Sequence, residues 1–276
     1  MTFLSKIQIK IGNFLINNSK SNMDDNIFYC PSFPKCGRTW LRSLINHYYY
    51  LLYPLSVTQE NHLYSSKKPI IKFTHIGKTL TGHELKKRLS FLKNKKSILI
   101  FRDPRDVFVS YFMHITKAGH HPKDNSINWD EVGIGEVLRN KNYGIIQIVN
   151  YMNTIYETSY DPSNTFLLSY ENLKKDTFTE LNSLLKFLGD SIMSHRAINE
   201  SINYCSFKQM QKREKDGIAN EFQISTRQRK RKSGDSLKMR KGKVGGYKNN
   251  LFEEDLEFSN EIFNNLNDEI KLLIKS

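Results

Sequence analysis

Four short apolar runs, each leading into a turn or a helix-periodic stretch, constrain this chain more than anything else in it. Ile27–Cys30, Pro69–Thr74, Ser97–Phe101 and Thr165–Ser169 are rich in Ile, Leu or Phe and are bounded by polar or Pro residues. Runs of that length fit strands buried on both faces of a parallel sheet. After the first, Trp40, Leu41, Leu44, Ile45 and Tyr48 repeat at helical spacing. After the third, Asp103-Pro104 supplies an N-cap followed by Pro at the first helical position. Val107, Phe108, Tyr111, Phe112 and Ile115 then make an apolar helix face. Asp176 is placed to cap a helix through Leu181, Leu184, Leu185 and Leu188, which Gly189 stops. The alternation predicts an α/β fold, a single domain over 1–276 with a central parallel sheet flanked by helices. Ligands of such sheets collect at the carboxyl ends of the strands, so the loops there matter most.

Composition narrows the function classes. A chain of 276 residues, 38% hydrophobic and 12% aromatic, is too apolar for disorder and long enough for one sizeable core. No run reaches the ~18 apolar residues of a membrane span, and Met1–Asn18 lacks a signal-peptide cleavage site. Cys30, Cys36 and Cys205 make neither a disulfide framework nor a metal-ligand pair. The expectation is a soluble, cytoplasmic protein that needs no metal. The net charge of +14 points to an anionic partner, whether nucleic acid, membrane or a phosphate-bearing small molecule. Nine cations and one acid lie between Arg227 and Lys243, which reads as a mobile basic loop. Lys117–Asn128 reads as a surface loop, and the tail from Glu253 as a closing helix.

Four motifs carry chemistry. Pro34-Lys35-Cys36-Gly37-Arg38-Thr39-Trp40 follows a strand and opens a helix, so its N–H groups and the helix dipole favour an anion. Gly37 permits close backbone approach, and Lys35 and Arg38 add charge. It is not a Walker A loop, because Ser32 stands where the first Gly belongs and the Lys precedes the Gly. An ordinary turn with solvent-facing cations is the alternative. Phe101-Arg102-Asp103-Pro104-Arg105-Asp106, with Ser110 beyond it, places a guanidinium at a strand end, where it can fork onto phosphate. Arg105 reads instead as a structural partner of the nearby acids. Tyr170-Glu171-Asn172-Leu173 follows the last strand and fits either a base contact or plain core. Arg240-Lys241-Gly242-Lys243 runs into Gly245-Gly246-Tyr247, either an anion clamp or a solvated basic turn.

Together these motifs resemble the sulfotransferase family that uses 3′-phosphoadenosine 5′-phosphosulfate (PAPS) and releases adenosine 3′,5′-bisphosphate (PAP). They occur in family order from residue 34 to 249. The resemblance implies that Lys35 contacts the oxygen bridging phosphate and sulfonate. Cys36, Gly37, Arg38, Thr39 and Trp40 would hold the 5′-phosphate, Trp40 also stacking on adenine. Arg102 and Ser110 would bind the 3′-phosphate with Arg240, Lys241 and Gly242. Tyr170, Cys205, Ser206 and Phe207 would surround the base, with Cys205 where the family often has Thr. Ile71–His75 is similar to the family's Lys-Thr-His, which makes His75 the candidate general base. A Lys aimed at the bridging oxygen stabilises charge that develops in the transition state. A His suits removal of the acceptor's proton at neutral pH.

Cys36 and Arg38 depart from the family's Ser and Thr, and Gly246-Tyr247 from its Asp-Trp. The dimer motif of animal cytosolic members is not found after Lys248, so that dimer is not expected and the oligomeric state stays open. A P-loop nucleotide kinase or NTPase is the second reading, opposed by the missing Walker A pattern. A nucleic-acid binder using 227–243 is the third, opposed by the lack of interleaved aromatics. The leading reading has no nucleic-acid partner. Its expected acceptor is a small molecule sulfonated on a hydroxyl or amine, with secondary metabolites as the favoured class. The acceptor pocket is expected from Asn46–Tyr64, the 117–130 loop and 212–235, with Tyr48, Tyr49, Tyr50, Tyr53 and Tyr64 as walls or as packing.

Overall fold

A computed structural model describes residues 26–53, 68–77, 79–216 and 241–275. Arg240, most of the 227–243 loop, Tyr64 and the 217–235 part of the expected acceptor pocket lie outside them. The four expected strands form: β1 (Ile27–Pro31), β2 (Ile70–Thr74), β3 (Ser97–Phe101) and β4 (Thr165–Ser169). They make one parallel sheet in the order β2-β1-β3-β4. β3 is central and buried at every residue, whereas β2 lies at an edge and is only half-covered. That explains why Lys72 is tolerated in β2, where it lies over the Tyr29 ring.

Register decides where the site falls. Pro31 pairs with Thr74 and Phe101 with Ser169, while Tyr29 pairs with Ser97, so β3 and β4 run two residues past β1 and β2 at the same edge of the sheet. The segments that follow, 32–37, 75–77, 102–103 and 170 onward, therefore converge.

Helices start where local chemistry permits. α1 (Arg38–Leu52) begins at Gly37, whose φ of +98° suits glycine. Leu41, Leu44, Ile45, Tyr48 and Tyr49 on this helix are fully buried. Those two tyrosines are core, not pocket wall. α2 (Pro104–Thr116) is capped by Asp103, whose carboxylate accepts from the Arg105 N–H, with Pro104 in the first turn. α3 (Tyr170–Lys175) starts where Ser169 Oγ accepts from the Asn172 N–H. α4 (Thr177–Phe187) is capped by Asp176, as its sequence predicts. α5 (His195–Tyr204) packs on α1, and α6 (Phe207–Lys215) follows it. The acidic tail differs from expectation: it forms two helices, α7 (Glu253–Asn264) and α8 (Asp268–Lys275). Leu266 is buried between them and Asn267 Oδ1 accepts from the Glu269 N–H, so the chain re-caps and turns.

The C-terminal segment is tied to the sheet by one carboxylate. Asp106 on α2 is buried and accepts from the Gly245 N–H at 2.8 Å and the Tyr247 N–H at 2.9 Å. Burial raises its pKa, although Arg102 nearby opposes the rise. Asp106→Ala leaves two backbone donors unpartnered and should lower the unfolding free energy by about 3 kcal/mol. Urea unfolding checks this; a loss of under half that value refutes the clasp.

Candidate active site

A cavity of about 260 Å3 opens where the strands end. One wall is the 34–40 segment. Lys35 has φ +76° and Gly37 φ +98°, an uncommon pair that curls the loop tightly. A Cβ on Gly37 would lie 2.6 Å from the Tyr170 ring, so only glycine lets loop and ring meet. Gly242, at φ +57°, repeats the arrangement: its Cβ would lie 2.5 Å from the Phe207 ring. Two aromatic rings thus stand against two glycine backbones. Trp40 sits edge-on to Tyr170, its ring N–H donating to the Cys205 carbonyl at 3.0 Å.

Arg102 links the walls. Its guanidinium donates to the Lys35 carbonyl at 3.3 Å and the Lys243 carbonyl at 3.0 Å. It also stacks over Tyr170 at 4.2 Å and lies 3.6 Å from Asp106. It is 8% exposed, and its buried Nε has no partner. Lys174 lines the same side and donates to the Gly242 carbonyl. Arg105, one turn along, behaves otherwise. It makes a bidentate pair with Asp103, bonds Asn260 and stacks on Tyr247 and Phe263, so it is structural.

His75 stands on the opposite side. Its Nδ1 lies 3.1 Å from the Ser32 carbonyl, and its Nε2 meets the Arg38 guanidinium. A carbonyl only accepts and a guanidinium only donates, so Nδ1 carries the proton and Nε2 the lone pair.

Among the predicted residues, Lys35, Gly37, Arg38, Thr39, Trp40, His75, Arg102, Ser110, Tyr170, Phe207, Lys241 and Gly242 all line this cavity. Others stand back from it. Cys36 is buried, and burial pushes its thiol up to about 12. Cys205 is buried too, with its thiol likewise pushed up to about 12, and it serves through its carbonyl. Ser206 caps α6. Arg240 is outside the described residues. Sequence reasoning missed Arg42, Asp106, His114 and Lys174, which also line the cavity. Arg42, His114 and Lys174 lie four residues beyond Arg38, Ser110 and Tyr170 on the same helices, and Asp106 four beyond Arg102 at the strand end, and that spacing was the available signal.

Comparison with known proteins agrees with this geometry. A family model of the sulfotransferase domain matches residues 25–271. The chain belongs to the sulfotransferase family. Sulfotransferase 6B1 of Pan troglodytes is 27% identical over 241 residues, covering 81% of this chain and 70% of that protein. Cytosolic sulfotransferase 12 of Arabidopsis thaliana is 23% identical, covering 89% and 78%. The crystal structure of mouse sulfotransferase SULT7A1 complexed with PAP superposes with a TM-score of 0.59 at 19% identity, covering 90% and 88%. These matches displace the kinase reading. Among the described residues no helix is long and apolar enough to cross a membrane, and no His, Cys, Asp and Glu cluster could hold a metal.

Glu171 gives the site a pH signature. One carboxyl oxygen accepts from the Asp103 N–H at 3.0 Å and the other is buried without a partner. Burial raises its pKa from an ordinary 4.5 to about 7. Between those values the folded chain binds more protons than the unfolded one, so stability falls as pH rises through the window. Glu171→Gln stays neutral and should remove that fall, gaining on the order of 2 kcal/mol over wild type at pH 8. Chemical denaturation from pH 4.5 to 8 checks it; parallel curves for the two proteins refute it.

Proposed function

We propose that this sulfotransferase transfers the sulfonate of PAPS to a small soluble acceptor and works in the cytoplasm. The observation that carries the reading is the buried, half-satisfied Arg102 beside Lys35, Lys174 and Lys241 in a cavity with two glycine walls. A buried guanidinium nitrogen without a partner calls for an anion. Gly37 and Gly242 let the Tyr170 and Phe207 rings close onto the loop backbone, so the cavity offers aromatic walls to a base and bare backbone to a phosphate. The family's PAP-bound relative and the cytosolic plant relative support the same assignment.

The residues divide the work. Arg102, Ser110, Lys241, Gly242 and Arg240 grip the 3′-phosphate. Gly37, Arg38 and Thr39, with the α1 N-terminus and the backbone of Cys36, hold the 5′-phosphate. Tyr170, Trp40 and Phe207 enclose the base, with Cys205 and Ser206 supporting them. PAPS supplies an activated sulfonate. Lys35 stabilises charge on the departing phosphate oxygen, which raises the rate because the charge appears only in the transition state. His75 accepts the acceptor's proton at Nε2, while the Ser32 carbonyl holds the ring through Nδ1. Arg38 occupies Nε2 in this structure, so it must shift before His75 acts.

Calorimetric titration with PAP should show micromolar or tighter binding, and Arg102→Ala should weaken it on the order of 100-fold, about 2.7 kcal/mol. No binding by the wild type overturns the reading. Once a mass-spectrometric screen finds an acceptor that gains one sulfonate, Lys35→Ala should lower kcat by roughly 100- to 1,000-fold. PAP affinity should change little in that variant; unchanged turnover refutes the role of Lys35.

A further inference from the structure

Seven Lys and Arg side chains line the cavity, against one carboxylate, Asp106. PAPS carries roughly four negative charges, so cations remain once it is bound. The surplus is not spread evenly. Arg102, Lys174, Lys241 and Lys243 cluster on the β3, α3 and C-terminal side, where Arg102 and Lys174 are tied by bonds to backbone carbonyls. Arg38 and Arg42 stand apart, one turn from each other on α1 and against the end of β2.

These two arginines are left in an unfavourable state. Arg42 lies over the Phe73 ring at 5.8 Å, and its buried Nε has no hydrogen-bond partner. Arg38 reaches the neutral His75 with one nitrogen, while its Nη1 is buried without a partner. Among the described residues neither pairs with an acid. Burial lowers the pKa of both, and the Arg42 charge lowers Arg38 further. Two like charges are held together in partial burial, and an anion between them would relieve repulsion and desolvation alike. The proton-accepting nitrogen of His75 opens at the same place, so the anion belongs to whatever presents its nucleophile there.

We propose that Arg38 and Arg42 form an acceptor subsite for an anionic group, so that this enzyme takes acceptors carrying a carboxylate, sulfate or phosphate near the hydroxyl or amine that is sulfonated. The proposal rests on the PAPS reading and names the substrate class for it. Arg42 is the discriminating residue, because the 5′-phosphate set already includes Arg38. On this arrangement an anionic acceptor also draws Arg38 away from Nε2 of His75, freeing the base when the correct molecule is bound.

The test uses the full chain loaded with PAP. The probes are 4-hydroxybenzoate and its neutral twin, methyl 4-hydroxybenzoate, titrated calorimetrically. The acid should bind at least about tenfold tighter than the ester. Arg42→Gln should narrow the difference to about twofold and Arg42→Lys should restore most of it, with PAP affinity within about threefold of wild type throughout. Retained PAP binding shows that each variant is folded. An equal affinity for acid and ester overturns the proposal, as does a preference that survives Arg42→Gln. No binding of the acid at about 10 mM also overturns it. A loss of PAP affinity in Arg42→Gln assigns the residue to the cofactor and overturns the subsite alone. Failure of PAP to bind the wild type overturns the cofactor reading and the subsite with it.

Discussion

The site hangs on one guanidinium. Arg102 leaves the end of the central strand and meets the carbonyl of Lys35, the carbonyl of Lys243, the face of Tyr170 and the carboxylate of Asp106. Those four groups come from four separate parts of the chain. A lysine could not replace it, because one compact ammonium lacks the planar fork that serves two carbonyls and a ring at once. Asp106 completes the arrangement by holding Gly245 and Tyr247, so the C-terminal segment is fixed from the same helical turn that begins at the strand end. The same contacts explain why a cation can be buried there. Each carbonyl it meets returns part of the solvation that it loses.

The opposite side of the cavity is built on a different logic. His75 is held by one carbonyl and one arginine, which together fix its tautomer and close its basic nitrogen. A base in that condition is oriented but is not yet available to a substrate. Availability then depends on what competes for Arg38. Both the 5′-phosphate and an anionic acceptor qualify, so the residue that departs most in size from the family pattern links cofactor, acceptor and base.

The strands were legible because burial on both faces leaves an unbroken apolar run, and β3 and β4 fall at their expected residues. The anion loops were legible because Gly, Lys and Arg after a strand have few other uses. Arg42, His114 and Lys174 were less so, since a polar side chain on a helix is ordinarily solvent-facing and spacing from Arg38, Ser110 and Tyr170 was the one local signal. What sets them apart is that α1, α2 and α3 all begin beyond the carboxyl edge of the parallel sheet, a property of topology rather than of any one segment. Cys36 and Cys205 stand in the same motifs, but burial turns both thiols inward, so it is their backbone that faces the site.

Arg105 and Arg102 show why charge counting cannot find a binding site. Both sit in one motif three residues apart and neither is fully exposed. Arg105 is matched by the two oxygens of Asp103, the amide oxygen of Asn260 and two aromatic rings, so its charge is already satisfied by the protein. Arg102 keeps a buried nitrogen unpartnered, and so do Arg38 and Arg42. The difference is one of pairing, and pairing is decided by which acids the fold brings near. Asp103 lies two residues from Arg105, so their pairing is local; Arg38 and Arg42 have no acid at helical spacing on their own helix, where Leu41, Ile45 and Asn46 stand. A parallel sheet whose strands all run to one edge therefore gathers unpaired cations from several helix starts, and their unmet charge, rather than the chain's total of +14, defines the ligands this protein can take.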